Sequence, residues 1–478
     1  MLDLLLNPIR RAIEGVGWAM AQLGWIDRER ARRVADLAWP RIVTGVARMS
    51  KSTADVAMVG TALGASAIAG VGYATPFWAL AFTFGGGVAG GTISLVSQRY
   101  GAGQRDATSV AVKVSAVFAL AVTVPLVVLF WAVPEPLIRL IGTGEEAVAY
   151  GARYLRIVSL AMPFAALNLV GSRALVGAND AWTPMVVRAG GAVANVALNA
   201  LLIFGFDLGV VGAAVGTVVA NMAGTGAFAW GLTKGRLPFV GAVPVRIDWA
   251  APHWRPSTAR HLAEIATPLA LTNLVQNGSQ FPLLAIVGLF GPEVVAAFVI
   301  ALRVRDLMNT PGWGFGLASS SLVGQSLGRG REQEAGAYAH DTLRFSVAVY
   351  ALVALIVFVG AHPISHLFVQ DGSVAPTAAA LIRAACVAVV LWGVMNGAMG
   401  PLRASGDTRW PLYGQLLGLF AFTLPAAYVG AVTPLGMIGL YLALLFETGV
   451  PAAVTYARFR SERWKLVSRN YRPAASKA

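Results

Sequence analysis

From residue 37 onward, apolar stretches long enough to cross about 30 Å of hydrocarbon recur about twelve times. They cover 37–60, 74–98, 107–131, 147–176, 183–205, 209–232, 261–289, 294–326, 335–360, 374–402, 410–432 and 436–458. A segment in hydrocarbon must close its own backbone hydrogen bonds, and a helix does so within itself. The expected fold is therefore an all-α polytopic membrane protein with about twelve transmembrane helices. Composition agrees, with 56% of the 478 residues hydrophobic and 13% charged. A net charge of +14 would suggest nucleic acid in a soluble chain, but in a membrane protein basic residues set topology. No nucleic-acid partner is expected. The single cysteine, Cys386, allows no intramolecular disulfide and no cysteine metal cluster.

The connections give an orientation. Arg99 and Arg105, Arg173, the run from Lys234 to Arg260, Arg329 and Arg331, and Arg403 and Arg409 fall in alternate connections, while the others hold almost no basic residue apart from Arg139. With basic segments at both ends, this asymmetry puts both termini in the cytoplasm of a cell-membrane protein. The first 36 residues are not a cleavable signal, since Arg10, Arg11 and Glu14 interrupt the apolar run. Leu2, Leu5, Leu6, Ile9 and Ile13 recur at helical spacing beside those arginines, which suits a helix lying on anionic lipid. A frayed terminal extension is the other reading.

The longest polar connection separates two sets of six spans, which invites a search for a repeat. "SLVSQRYGAG" at 94–103 matches "SLVGQSLGRG" at 321–330, with 325 − 98 = 227 between Gln98 and Gln325. "ANDAWTP" at 178–184 matches "SGDTRWP" at 405–411 with the same offset, since 407 − 180 = 227 for the aspartates. Six spans per half keep both halves in one orientation, so they are parallel repeats related by an axis along the membrane normal. The expected divisions are a cytoplasmic or interfacial segment at 1–36, an N-lobe at 37–232, a linker at 233–260, a C-lobe at 261–458 and a basic tail at 459–478.

"NVALNALLIFGFDLGVVGAAVGT" at 195–217, the paired glutamine–glycine turns and "LRASGDTRWP" at 402–411 resemble the multidrug and toxic compound extrusion (MATE) family. Within that family, part of the multidrug/oligosaccharidyl-lipid/polysaccharide exporter superfamily, the chain resembles the prokaryotic DNA-damage-inducible-F-like branch more than the Na⁺-coupled bacterial drug pumps. The likeness runs from Trp39 to about Phe459. The resemblance implies a V-shaped pair of six-helix lobes that export drugs or metabolites against H⁺ or Na⁺ entry.

At 100° per residue, Arg41, Thr44, Arg48, Lys51 and Asp55 fall within roughly 80° of one another on the first span. Arg41 can snorkel, but Arg48, Lys51 and Asp55 would cost on the order of 8–10 kcal/mol against lipid. The stripe must face a wet cavity or partner helices. Asp55 resembles the family's membrane-embedded aspartate, implied to bind the coupling cation or to change protonation; a permanent pair with Lys51 and direct substrate contact are the alternatives. Asn195, Asn199 and Thr217 match positions implied for the N-lobe pocket. Asn199 stands where many relatives have aspartate and cannot exchange a proton, and interhelical hydrogen bonding is the alternative role.

In the C-lobe, Gln276 takes the place of a glutamate of the Na⁺-coupled pumps, and the tenth helix offers "LWGVMNG" where they carry an acid. H⁺ is thus favoured over Na⁺. Arg303, Arg305 and Asp306 lie inside the eighth span and Glu447 near the middle of the twelfth; intramembrane charges are functional by default. Arg303 with Asp306 reads as an i,i+3 ion pair or a site, and Glu447 as a group handling substrate or protons. "FGGGVAGG" and "PGWGFG" read as close helix packing, with bends expected at Pro76 and Pro311. His362 and His366 read as interfacial, no metal site is expected, and no catalytic set argues for an enzyme.

The reading is a secondary active exporter of small amphipathic substrates, a monomer with Asp55 coupling and no cofactor beyond H⁺ or Na⁺. The alternative is a flippase of anionic lipid-linked intermediates, with Arg48, Lys51 and Arg303 holding a phosphate.

Overall fold

The computed structural model describes residues 2–142, 144–368 and 374–471, and the side chains from residue 8 onward. Part of the amphipathic pattern, at Leu2, Leu5 and Leu6, and the last seven residues of the basic tail lie outside the described side chains.

All the expected spans are helical. The first six run Arg28–Leu63, Ala65–Gly101, Arg105–Ala132, Glu145–Gly177, Trp182–Gly205 and Gly209–Lys234. The seventh is split into Pro256–Gly278 and Gln280–Val287, and the eighth into Pro292–Met308 and Thr310–Gly328. The last four run Glu332–Val359, Val374–Ser405, Arg409–Val432 and Met437–Arg460. Among the described residues nine helices are long and apolar enough to span by composition alone. The first, seventh and eighth are not: one carries the charged stripe, and the other two are interrupted and polar. Pro311 falls at the break in the eighth span, as second residue of Thr310–Gly328, where its missing N–H costs little. The helix Ala65–Gly101 continues through Pro76.

The repeat is visible in backbone geometry. Arg105–Ala132 and Glu332–Val359 are both 28 residues long and start 332 − 105 = 227 positions apart. The turns that carry the matching motifs close identically, Asp180 N–H donating to Leu175 O at 3.0 Å and Asp407 N–H to Leu402 O at 2.8 Å. Both turns need a left-handed residue at the helix end; Asn179 supplies it with φ 67° and Gly406 with φ 84°. In "FGGGVAGG", Gly87 lies where a side chain has no room: its Cβ would meet Ala266 O and Ala270.

The chain forms two compact units, Met1–Ile42 with Leu271–Ala478, and Val43–Ala270. Their boundaries fall inside the first and seventh spans and not in the 233–260 connection. That connection is fastened to the third span: Lys113 Nζ donates to Asp248 O and Ala251 O, both at 2.7 Å, and Asp248 N–H donates to Ser109 Oγ at 3.0 Å. In the first unit the core gathers Phe298, Tyr350, Leu381, Ile382 and Leu440. The helix Leu2–Gln22 buries Ile13 and Met20 in this unit, and Arg10 bridges Glu14 and Asp36. Trp18 stays half exposed.

Candidate functional site

The polar stripe of the first span is divided between the units. Arg41 lies in the first, its guanidinium 5.4 Å from the centre of the Trp313 ring. Arg48, Lys51 and Asp55 belong to the unit Val43–Ala270, where they line a cavity of about 410 Å³. Both oxygens of Asp55 are engaged: Lys51 Nζ sits 2.5 Å from Oδ2, one turn away on the same helix, and Asn199 Nδ2 donates to Oδ1 at 2.8 Å from the fifth span. Asn199 also donates to Asn195 Oδ1 at 3.3 Å, and both asparagines are fully buried. Asn199 can pack there because Gly216 on the sixth span leaves the space its carboxamide fills. Thr217 lies beside it on the cavity wall but turns its hydroxyl to Ala213 O at 3.0 Å.

Arg188, Asn168, Asn221 and Tyr154 join this cavity, and the sequence reading did not single them out. Asn168 Nδ2 donates to Asn221 O at 3.1 Å, and Thr225 donates to Asn168 Oδ1 at 3.1 Å. The amides gave little signal, because buried amides between helices are common. Arg188 did give one, being a charge inside the apolar stretch 183–205. Three aromatic rings also line the wall, Trp78 and Phe82 packed edge to face at 5.5 Å, and Phe228.

The other sequence candidates lie in the first unit. The expected pair of Arg303 with Asp306 is not the ion pair that forms there: Arg303 is exposed, and Arg305, 2% exposed, sits 2.5 Å from Glu447 Oε2 and 3.9 Å from Asp306. Helical spacing made Arg303 and Asp306 neighbours, but packing turns Arg305 inward, where its guanidinium lies 5.1 Å from the Trp392 ring. Gln276 Nε2 donates to Gln415 Oε1 at 3.3 Å. At the break in the eighth span, Tyr350 donates to Asn309 Oδ1 at 2.6 Å and Asn396, from the "LWGVMNG" stretch, donates to Tyr350 Oη at 3.2 Å.

Residues 40–201 and 268–429 both match the MatE family. A probable multidrug resistance protein NorM from Bradyrhizobium diazoefficiens is 28% identical over 450 residues, covering 90% of this chain and 93% of its own. A solved structure of MATE in the bent conformation superposes with a TM-score of 0.84 at 21% identity, over 92% of this chain and 97% of that one. A transporter from Pyrococcus furiosus, described as having a binding pocket of reverse polarity that suggests a different function, superposes with a TM-score of 0.82 at 22% identity, over 91% and 96%.

Proposed function

Because the chain belongs to the MatE family, whose members are transporters and not enzymes, we propose that it is a secondary active exporter in the cell membrane. It moves small amphipathic compounds outward in exchange for protons, by alternating access between its two halves. The relative's name, probable multidrug resistance protein, supports drugs as substrates. Basic residues in alternate connections support cytoplasmic termini. The exporter acts as a monomer and needs no cofactor beyond the coupling ion.

One observation carries the coupling role: Asp55 sits on a cavity wall with an ammonium on one oxygen and an amide N–H on the other. A hard cation such as Na⁺ needs several oxygen ligands at once, whereas these neighbours present hydrogens. A proton needs only the carboxylate. Its arrival removes the counter-charge of Lys51 and weakens the acceptor of Asn199, so it loosens the first span from the fifth. Ionised and protonated Asp55 thereby favour different packings of one helix, which is the element an alternating carrier requires.

The test is drug flux in proteoliposomes under separately imposed pH and sodium gradients. Flux should follow the pH gradient and fall at least about tenfold in Asp55→Asn, the scale of one lost coupling interaction. Undiminished flux in the variant, or flux that answers only to sodium, removes Asp55 as the proton site.

A further inference from the structure

The two repeats carry different side chains at one equivalent pair of positions. Counted from the proline at which each family match begins, Arg48 and Gln276 stand at the same place, 48 − 40 = 8 and 276 − 268 = 8, one residue off the offset of 227 that the later motifs keep. The fifth and eleventh spans start 409 − 182 = 227 apart, which puts Arg188 in register with Gln415. In the first unit the two glutamines satisfy each other at 3.3 Å. In the unit Val43–Ala270 the same two helices place two guanidinium groups on the wall of one cavity.

Arginines cannot do what the glutamines do. A guanidinium has five donors and no acceptor, and Nη1 of Arg188 is buried without an acceptor among the described residues. Arg188, with a second guanidinium on the same cavity wall, calls for a group with oxygens and negative charge. Lys51 adds another positive charge, but Asp55 already offsets it. The same cavity is lined by Trp78, Phe82 and Phe228, which suit a flat apolar body.

We infer that Arg48 and Arg188 form a subsite for an oxyanion head, and that the exported compounds are amphipathic anions: a carboxylate, sulfonate or phosphate on a flat apolar body. This names the substrate class of the exporter proposed above and rests on that reading. A planar guanidinium takes an oxyanion through paired N–H···O bonds, and two can grip one head from different sides. The volume of about 410 Å³ lies in the range of pockets that hold small organic ligands.

The test uses two probes with one ring system and opposite charge, naphthalene-2-sulfonate and 2-naphthyltrimethylammonium, titrated calorimetrically into the detergent-purified protein. The sulfonate should bind at least about tenfold more tightly. Arg48→Gln with Arg188→Gln installs the pair found in the other repeat and should reverse that preference. Arg188→Lys keeps a charge and should retain sulfonate binding within about tenfold. Preference for the ammonium probe in the wild type, or sulfonate affinity unchanged in the double variant, overturns the subsite.

Competition tells a lipid head group from a soluble anion. Displacement of the sulfonate by dihexanoylphosphatidylglycerol but not by dihexanoylphosphatidylcholine supports the subsite with a lipid occupant, and displacement by neither supports it with a soluble one. Equal displacement by both means that chains rather than heads are recognised, which also overturns it. In proteoliposomes, sulfonate binding without gradient-driven flux leaves the subsite standing and removes the export reading. Gradient-driven flux of the cation alone does the reverse.

Discussion

Asp180 and Asp407 occupy matching turns outside the spans, yet their surroundings differ. Asp180 caps the fifth span by accepting the Thr183 N–H at 2.9 Å, and burial holds its carboxyl above the ordinary range. Burial also raises Asp407, but Arg458 at 2.6 Å opposes that effect. A folded-state value above the unfolded one means that the group's contribution is full at low pH and is lost as pH rises through the folded value. Asp180→Asn keeps an acceptor for Thr183 and removes the buried charge. It should raise the melting temperature in detergent at pH 7, with the gain shrinking as pH falls toward about 4. A wild type that melts higher at pH 7 would contradict this account. Single residues were legible in sequence where a pattern announced them: Arg48, Lys51 and Asp55 share one helical face, whereas Arg188 stands alone in an apolar helix.

Among the helices, hydropathy located the spans because each must present an apolar surface to lipid. It carried less about which face of a helix turns inward. Spacing makes Arg303 and Asp306 neighbours on one helix, but the pair that forms joins Arg305 on the eighth span to Glu447 on the twelfth. Contacts between helices so far apart in sequence depend on packing that no local period encodes. Such a pair is strong only while complete. Glu447→Leu leaves Arg305 buried without its carboxylate, and breaking a pair in this way costs about 3–5 kcal/mol. Arg305→Leu combined with Glu447→Leu removes both charges and should recover most of that loss. Thermal unfolding of the two single variants and the double variant measures the coupling; additive losses would mean that the two charges do not stabilise each other.

Across the whole molecule, the repeat was legible because two motifs kept one offset, and the backbone repeats their turns. The difference between the repeats was harder to read. It lies in which polar pair each unit places at equivalent positions, and only the folded helices put Arg188 on the cavity that Arg48 lines. This difference bears on coupling, because exchange requires substrate and proton to weaken each other's binding. Coulomb's law alone gives that sign for a cation. For an anion it gives the opposite, since protonating Asp55 leaves Lys51 uncompensated and the cavity more positive. An exchanger of anions must therefore couple through geometry. The first span carries Arg48 and Asp55 on one face, so a rearrangement that follows a change of charge at Asp55 also shifts Arg48. The prediction is that Asp55→Asn, which carries the charge of the neutral carboxyl, binds naphthalene-2-sulfonate about tenfold more weakly than the wild type at pH 8. Tighter binding by the variant would mean that anion and proton favour each other, and the chain would then be a co-transporter of the two rather than an exchanger.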